Sequence, residues 1–219
     1  MNELSVAQKF AVWVLPVLFA ITLHEVAHGW VACKLGDKTA KRLGRLTLNP
    51  IKHIDPLGTI LLPGILFFLG GVIFGWAKPV PITYENLRHP KRDMVLVAVA
   101  GPMANLLMAF LWAGIAKFAL TLIPNFGMPA QAVFLMGQAG IIINLLLMIF
   151  NLLPIPPLDG GRVVSSLLPG KLSWQYDRLE PYGFFIIIGL ILLGVVQSIL
   201  LPVLQFGYVA IGSLFGILG

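Results

Sequence analysis

Long apolar stretches alternate with shorter polar stretches along this chain. The apolar stretches span residues 10–33, 57–75, 94–122, 131–154 and 182–219. A helix needs roughly 20 predominantly apolar residues to cross a bilayer, and each of these stretches is close to that length or longer. The pattern therefore predicts an all-α polytopic membrane protein, a bundle of about 4–6 hydrophobic segments, because only helices satisfy every backbone polar group within one apolar segment.

Composition agrees with this architecture. The chain of 219 residues is 58% hydrophobic and only 11% charged, whereas soluble domains carry about 25% charged residues. We therefore expect a single intramembrane domain over 1–219, with a core at 10–165 and C-terminal hydrophobic segments at 182–219. The first apolar stretch is expected to be a retained helix and not a signal peptide. Cys33 is the sole cysteine, so an internal disulfide is excluded.

The net charge of +6 lies in the polar stretches and indicates an orientation in the membrane. The positive-inside rule places three of them on the cytoplasmic side, namely 34–56, 76–93 and 155–181. The uncharged link 123–130 then faces outward. The apolar stretch 57–75 begins and ends on the same side, so it is predicted to be re-entrant, with an ordinary span of about 19 residues as the alternative. Nothing in the charge pattern indicates nucleic-acid binding.

The last apolar stretch allows two arrangements. Residues 182–219 carry no charge and are expected to be interrupted at Pro202. They form either one span plus an interfacial helix or a tight hairpin of two spans.

A metal-binding pattern lies inside the first apolar stretch, at His24-Glu25-Val26-Ala27-His28. Two histidines four residues apart share one face of a helix, so both imidazoles can bind one zinc ion, and the glutamate between them can act as a general base. Ionisable groups in a membrane helix are costly and usually functional. The alternative is a chance match, with polar groups that only hydrogen-bond between helices.

A catalytic zinc usually has three protein ligands and one open position. Asp159 is the candidate for the third ligand because it interrupts a long neutral stretch directly after the apolar stretch 131–154. Gly160 and Gly161 behind it permit close backbone approach. The alternative is that Asp159 only forms a turn.

The candidate ligands can meet only in one topology. If 57–75 does not span the membrane, the stretches 10–33 and 131–154 run in the same direction and bring His28 and Asp159 to the same end. If it does span, Asp159 lies on the opposite side.

Several motifs, in this order, resemble those of the site-2 protease family of intramembrane zinc metalloproteases. They are HEVAH at 24–28, NPIKHIDPLG at 49–58, GPMAN at 101–105 and NLLPIPPLDGGR at 151–162. The motif at 49–58 resembles one found in a small bacterial and archaeal subgroup. The resemblance covers residues from about 10 to 165.

The resemblance implies a zinc-dependent endopeptidase. It implies His24, His28 and Asp159 as ligands of one Zn²⁺ and Glu25 as catalytic base. Asn151 is similar to a family position near the zinc that helps to polarise the substrate.

Three further polar residues have two interpretations each. His53 is either a site-supporting group or a histidine of a basic surface loop. Asn105 either supports the site or links helices, and for Asn144 a helix-linking hydrogen bond is the main interpretation.

The expected substrate is a transmembrane segment of another protein, and the expected location is a prokaryotic cell membrane with the active site toward the cytoplasm. Two other classes of function are possible: a transporter or channel that uses buried His and Asp residues for ion passage, and an inactive membrane scaffold. The absence of a repeated half-structure speaks against a transporter, and the intact Glu25 speaks against a scaffold.

Overall fold

A computed structural model describes residues 5–61, 65, 75 and 77–218 of the protein. All regular secondary structure in these residues is helical. The α-helices are α1 (Val6–Lys34), α2 (Thr39–Arg42), α3 (Pro90–Phe126), α4 (Met128–Asn151), α5 (Asp159–Leu167), α6 (Gly170–Asp177), α7 (Glu180–Leu192) and α8 (Val195–Phe215). Short 3₁₀ turns lie at Pro50–His53 and Tyr84–Asn86, and a π-helical turn lies at Pro56–Leu61.

Within the described part of the chain, α1, α3, α4 and α8 are long and apolar enough to cross a membrane. The prediction of an all-α polytopic membrane protein is therefore confirmed. The sequence pattern placed the third and fourth apolar stretches within a few residues of α3 and α4. The helix α4 ends at Asn151, three residues before the predicted end, because the prolines that follow supply no N–H donors to continue it.

The helices α1, α3 and α4 form the centre of the bundle. Asn105 of α3 donates hydrogen bonds to the carbonyl of Ala20 in α1 (3.2 Å) and to Oδ1 of Asn144 in α4 (2.9 Å). Nearer its start, α3 accepts a hydrogen bond from the later part of α1, where His28 contacts Val97. The helices α1 and α3 are therefore antiparallel.

Small residues bring α3 and α4 close together. A Cβ at Gly137 would lie 2.6 Å from Cβ of Ala116, and a Cβ at Gly140 would collide with the Trp112 ring. Close approach of this kind is the usual basis of helix association in membranes. Because the short link between α3 and α4 makes them antiparallel, α1 and α4 run in the same direction. This is the topology in which His28 and Asp159 lie at the same end of the bundle.

The connection between α1 and α3 leaves and returns on one side of the bundle. The backbone N–H of Arg88 donates to the backbone carbonyl of Leu35 (3.1 Å), and that of Lys78 donates to the backbone carbonyl of His53 (2.9 Å). The predicted re-entrant stretch 57–75 lies between these joined points. Most of it falls outside the described residues, so its own path stays a prediction.

The C-terminal stretch divides into two helices. The helix α7 has 13 residues, too few for a span, and α8 has 21. The predicted interruption at Pro202 is wrong, because Pro202 lies inside α8 and the break lies at Gly194. Gly194 has φ +74°, a left-handed conformation that glycine adopts without strain, whereas a proline inside a membrane helix is tolerated when neighbouring groups satisfy the freed carbonyl.

Candidate metal centre and active site

The two histidines of α1 lie side by side and buried, with 7% and 4% of their surfaces exposed. Their Nε2 atoms are 3.0 Å apart. Each Nδ1 atom faces an acceptor on α3: that of His24 lies 2.6 Å from Oδ1 of Asn105, and that of His28 lies 2.7 Å from the Val97 carbonyl. The helix α3 therefore sets the orientation of both rings.

The structure brings Asp159 to these two rings. Its Oδ2 atom lies 3.2 Å from Nε2 of His24 and 3.3 Å from Nε2 of His28. Asp159 is the first residue of α5 and is buried. Among the described residues, these three side chains form the group that is able to hold a metal ion.

The glycines after Asp159 explain how it reaches this position. A Cβ at Gly161 would lie 2.6 Å from the Pro156 nitrogen, and one at Gly160 would collide with the backbone of Leu152 and Leu153. The start of α5 therefore packs directly on the turn that follows α4, as the predicted close backbone approach requires.

The acceptors that face the two Nδ1 atoms indicate that a cation fits between the three side chains. The amide nitrogen of Asn105 donates to two acceptors, so its Oδ1 is an acceptor. The Val97 carbonyl is also an acceptor, so each neutral imidazole carries its proton on Nδ1. Both Nε2 lone pairs then face each other and the Asp159 carboxylate, and among the described residues Oδ2 of Asp159 has no hydrogen-bond donor.

The spacing of these atoms matches a zinc site. Zinc binds nitrogen and oxygen ligands at about 2.0–2.2 Å, which places the ligand atoms of a tetrahedral site roughly 3.3 Å apart. The observed separations of 3.0–3.3 Å agree with this value. Three lone-pair donors at this distance repel one another unless a cation lies between them.

Two asparagines extend the network away from the metal centre. Asn105 and Asn144 are completely buried. Asn144 accepts from Asn105 and donates to the carbonyl of Gly140 in its own helix (2.8 Å). The predicted helix-linking role of Asn144 is thus confirmed, and Asn105 both links the helices and holds His24.

Gly101 lies beneath the two rings. A Cβ at this position would collide with Nε2 of His28 and would lie 2.6 Å from Cε1 of His24. Sequence reasoning noted Gly101 only as part of the GPMAN motif. The rings can approach α3 because this residue has no side chain.

The Glu25 side chain projects from α1 toward the loop before α3. Its Oε2 atom accepts a hydrogen bond of 2.7 Å from the backbone N–H of Val80. The sequence contains no signal for this contact, because it joins positions 55 residues apart through a main-chain donor.

Two weaker candidates have local partners. His53 is buried, and its Nε2 atom lies 2.9 Å from the Thr47 carbonyl, in its own loop. The amide of Asn151 donates to the Leu147 carbonyl one turn earlier in α4 (2.9 Å).

Comparison with known proteins agrees with this geometry. The model of peptidase family M50 matches residues 124–194, which include Asp159. YwhC of Bacillus subtilis, provisionally named a zinc metalloprotease, is 42% identical over 92% of this chain and 90% of its own length. The chain belongs to peptidase family M50.

Rip2 of Mycolicibacterium smegmatis, also provisionally named a zinc metalloprotease, is 31% identical over 87% of this chain and 70% of its own length. No solved structure has a significant match. As a member of family M50, the protein is a zinc metalloprotease, and its long apolar helices make it an integral membrane protein.

Proposed function

We propose that this protein is an intramembrane endopeptidase that hydrolyses peptide bonds within or near transmembrane segments of other membrane proteins. His24, His28 and Asp159 would hold one Zn²⁺ ion, and Glu25 would serve as general base. One observation carries the proposal: three lone-pair donors converge between apolar helices, and two of them, His24 and His28, come from the helix that presents Glu25.

The depth of the site supports a membrane-embedded substrate. His28 and His24 precede the end of α1 at Lys34 by about 9 and 15 Å along the helix axis, at 1.5 Å per residue. A soluble peptide would have to bury its polar backbone groups to enter this apolar layer, which costs free energy. A transmembrane segment already lies there. Such a segment must unwind locally, since helical hydrogen bonds shield its peptide bonds.

Each residue then has a defined task. Bound zinc supplies Lewis acidity and lowers the pKa of water to about 7. Glu25 takes a proton from the attacking water and delivers it to the leaving amine nitrogen. Oε2 of Glu25 is held by Val80, so Oε1 is the oxygen available for this transfer.

Supporting roles follow from position. Asn105 holds the His24 ring so that Nε2 faces the metal. Asn151 would stabilise the developing oxyanion of the substrate. For this its amide would exchange its present hydrogen bond to the Leu147 carbonyl for one to the substrate. His53 supports the loop that contacts α1, since its Nε2 atom lies next to the Thr47 carbonyl.

The orientation of the protein is proposed from charge. Two backbone hydrogen bonds, from Arg88 to Leu35 and from Lys78 to His53, join loops at the end of the bundle nearer the metal centre. These loops are rich in lysine and arginine, so the positive-inside rule places this end toward the cytoplasm of a prokaryotic cell.

The decisive experiment is cleavage of a panel of membrane-anchored reporters by the purified protein, with and without a zinc chelator. Glu25→Gln is expected to lower the cleavage rate by about 10²–10⁴-fold while zinc content stays at one ion per chain. An active Glu25→Gln protein with its zinc verified would exclude the assignment of the base. Ion flux into proteoliposomes without any cleavage would favour the transporter, and intact zinc with neither activity would favour the scaffold.

A further inference from the structure

The residue that contacts Glu25 lies in a short segment without regular secondary structure, Lys78-Pro79-Val80-Pro81-Ile82-Thr83, which we call the strap. Proline has no backbone N–H. Val80 lies between two prolines, so its N–H is the one backbone donor between Lys78 and Ile82. That donor points at Oε2 of Glu25, at 2.7 Å.

The side chain of Val80 fixes the strap on α1. Val80 is buried, with 4% exposed. A Cβ at Gly29, one turn after Glu25, would lie 2.9 Å from Cγ1 of Val80 and 3.0 Å from Cδ1 of Leu46. The missing side chain of Gly29 therefore forms a notch that the valine fills, and this packing sets the position of the N–H.

Hydrogen bonds hold the strap on both sides of Val80. On one side, Nη2 of Arg45 donates to the carbonyls of Lys78 (3.0 Å) and Pro79 (3.3 Å). On the other side, the N–H of Thr83 donates to Oδ2 of the buried Asp37 (2.7 Å). The segment is thus clamped by charged side chains from the chain that follows α1.

We propose that the strap is a positioning element for the general base, acting through the single N–H of Val80, with Arg45 as the side chain that holds it in place. The inference rests on the proposed role of Glu25. A carboxylate on a flexible side chain samples several rotamers, and a charge-assisted hydrogen bond to one oxygen selects one of them. The other oxygen is then presented in a fixed direction for proton transfer.

The test compares two substitutions at one position in the purified full chain. Val80→Pro removes the N–H, and a residue before proline already has an extended backbone. Val80→Ala keeps the N–H and loses only the packing in the notch. The kcat of Val80→Pro is expected to fall about tenfold or more below that of Val80→Ala, since a small misplacement of a catalytic group costs up to about 10²-fold.

Two further measurements distinguish positioning from general damage. The KM for the reporter and the zinc content of Val80→Pro are expected to stay within about twofold of those of Val80→Ala, because only transition-state interactions change. Equal kcat values for the two variants overturn the proposal. So does a loss of zinc in Val80→Pro, because the effect would then come from the metal centre.

Arg45 provides a second test if Val80→Pro does not fold. Arg45→Ala is expected to lower kcat with zinc retained, and Arg45→Lys to restore part of the loss, because lysine keeps the charge but not the planar donor fork. Unchanged kcat in Arg45→Ala overturns the proposal. If Glu25→Gln is inactive while the strap variants are fully active, the strap proposal fails alone; if Glu25→Gln is active, the proposed base fails.

Discussion

The two histidines of the candidate metal centre and the proposed general base, Glu25, share helix α1 but are oriented by different parts of the molecule. The imidazoles of His24 and His28 are oriented by α3, from inside the bundle. The carboxylate of Glu25 is held by Val80, from the loop before α3. Helices packed through small residues hold their side chains rigidly, whereas a loop depends on its anchors. Changes inside the bundle should therefore affect zinc, and changes in the strap should affect turnover.

The largest effect on zinc binding is expected from Gly101→Ala. The new Cβ would collide with Nε2 of His28, and overpacking of this kind forces side chains out of place. We expect loss of zinc and a fall in cleavage of about 10²-fold or more. Zinc content per chain, measured by elemental analysis, checks this.

A glycine farther along α3 provides the control. Among the described residues, a Cβ at Gly114 would meet only Cε1 of Phe215, at 3.8 Å, so Gly114→Ala is expected to retain zinc and activity. Full zinc content in Gly101→Ala would show that the rings have more room than the structure indicates.

A smaller effect is expected from Asn105→Ala, which removes the acceptor on Nδ1 of His24. Loss of such a partner of a metal-binding histidine typically lowers metal affinity about 10–100-fold. Competition with a chelator of known affinity measures the change. Asn144→Ala, one step farther from the ring, should weaken zinc less than Asn105→Ala; the reverse order would mean that helix packing, and not ring orientation, sets the affinity.

The smallest effect is expected at Asp37, which accepts a hydrogen bond from Thr83 at the end of the strap. It concerns how the stability of the fold depends on pH. Burial by itself raises the pKa of this carboxyl, but hydrogen bonds from Thr39, Thr83 and Asn86 outweigh it, so the pKa is lowered. A group whose folded pKa is depressed stabilises the fold above its unfolded pKa of about 3.9, and this contribution is lost as the pH falls through the folded value.

Asp37→Asn should therefore lower the melting temperature at pH 7, and the difference from the unchanged protein should shrink as the medium is acidified toward pH 3. Thermal melts in detergent across this range test it. Asp177→Asn, at an exposed position on α6, serves as the control and should show no such trend. A constant difference at every pH would assign the effect to lost packing.

Local patterns in the sequence predicted most of the helices and the two imidazoles. Hydrophobic runs reveal membrane helices because the backbone must satisfy its own hydrogen bonds in lipid. The helical repeat of 3.6 residues was enough to predict that His24 and His28 lie on one face of a helix. Asp159 required one more step, the direction of α4 relative to α1, which the charged loops supplied through the positive-inside rule.

The position of the break in the last apolar stretch was not predictable in this way. Pro202 is the stronger local helix breaker, yet the chain turns at Gly194. Local propensity gives way to packing when neighbouring groups accommodate a proline.

The sequence by itself determined that this chain is a membrane bundle with two histidines and a glutamate spaced as in a zinc site on one helix, because those features depend on residue type and on spacing within one element. Only the tertiary structure decided that Gly101 makes room for the rings, that Asn105 orients His24 and that Val80 holds Glu25. These contacts join distant positions through a missing side chain, a buried amide and a backbone N–H, none of which has a local pattern in the sequence.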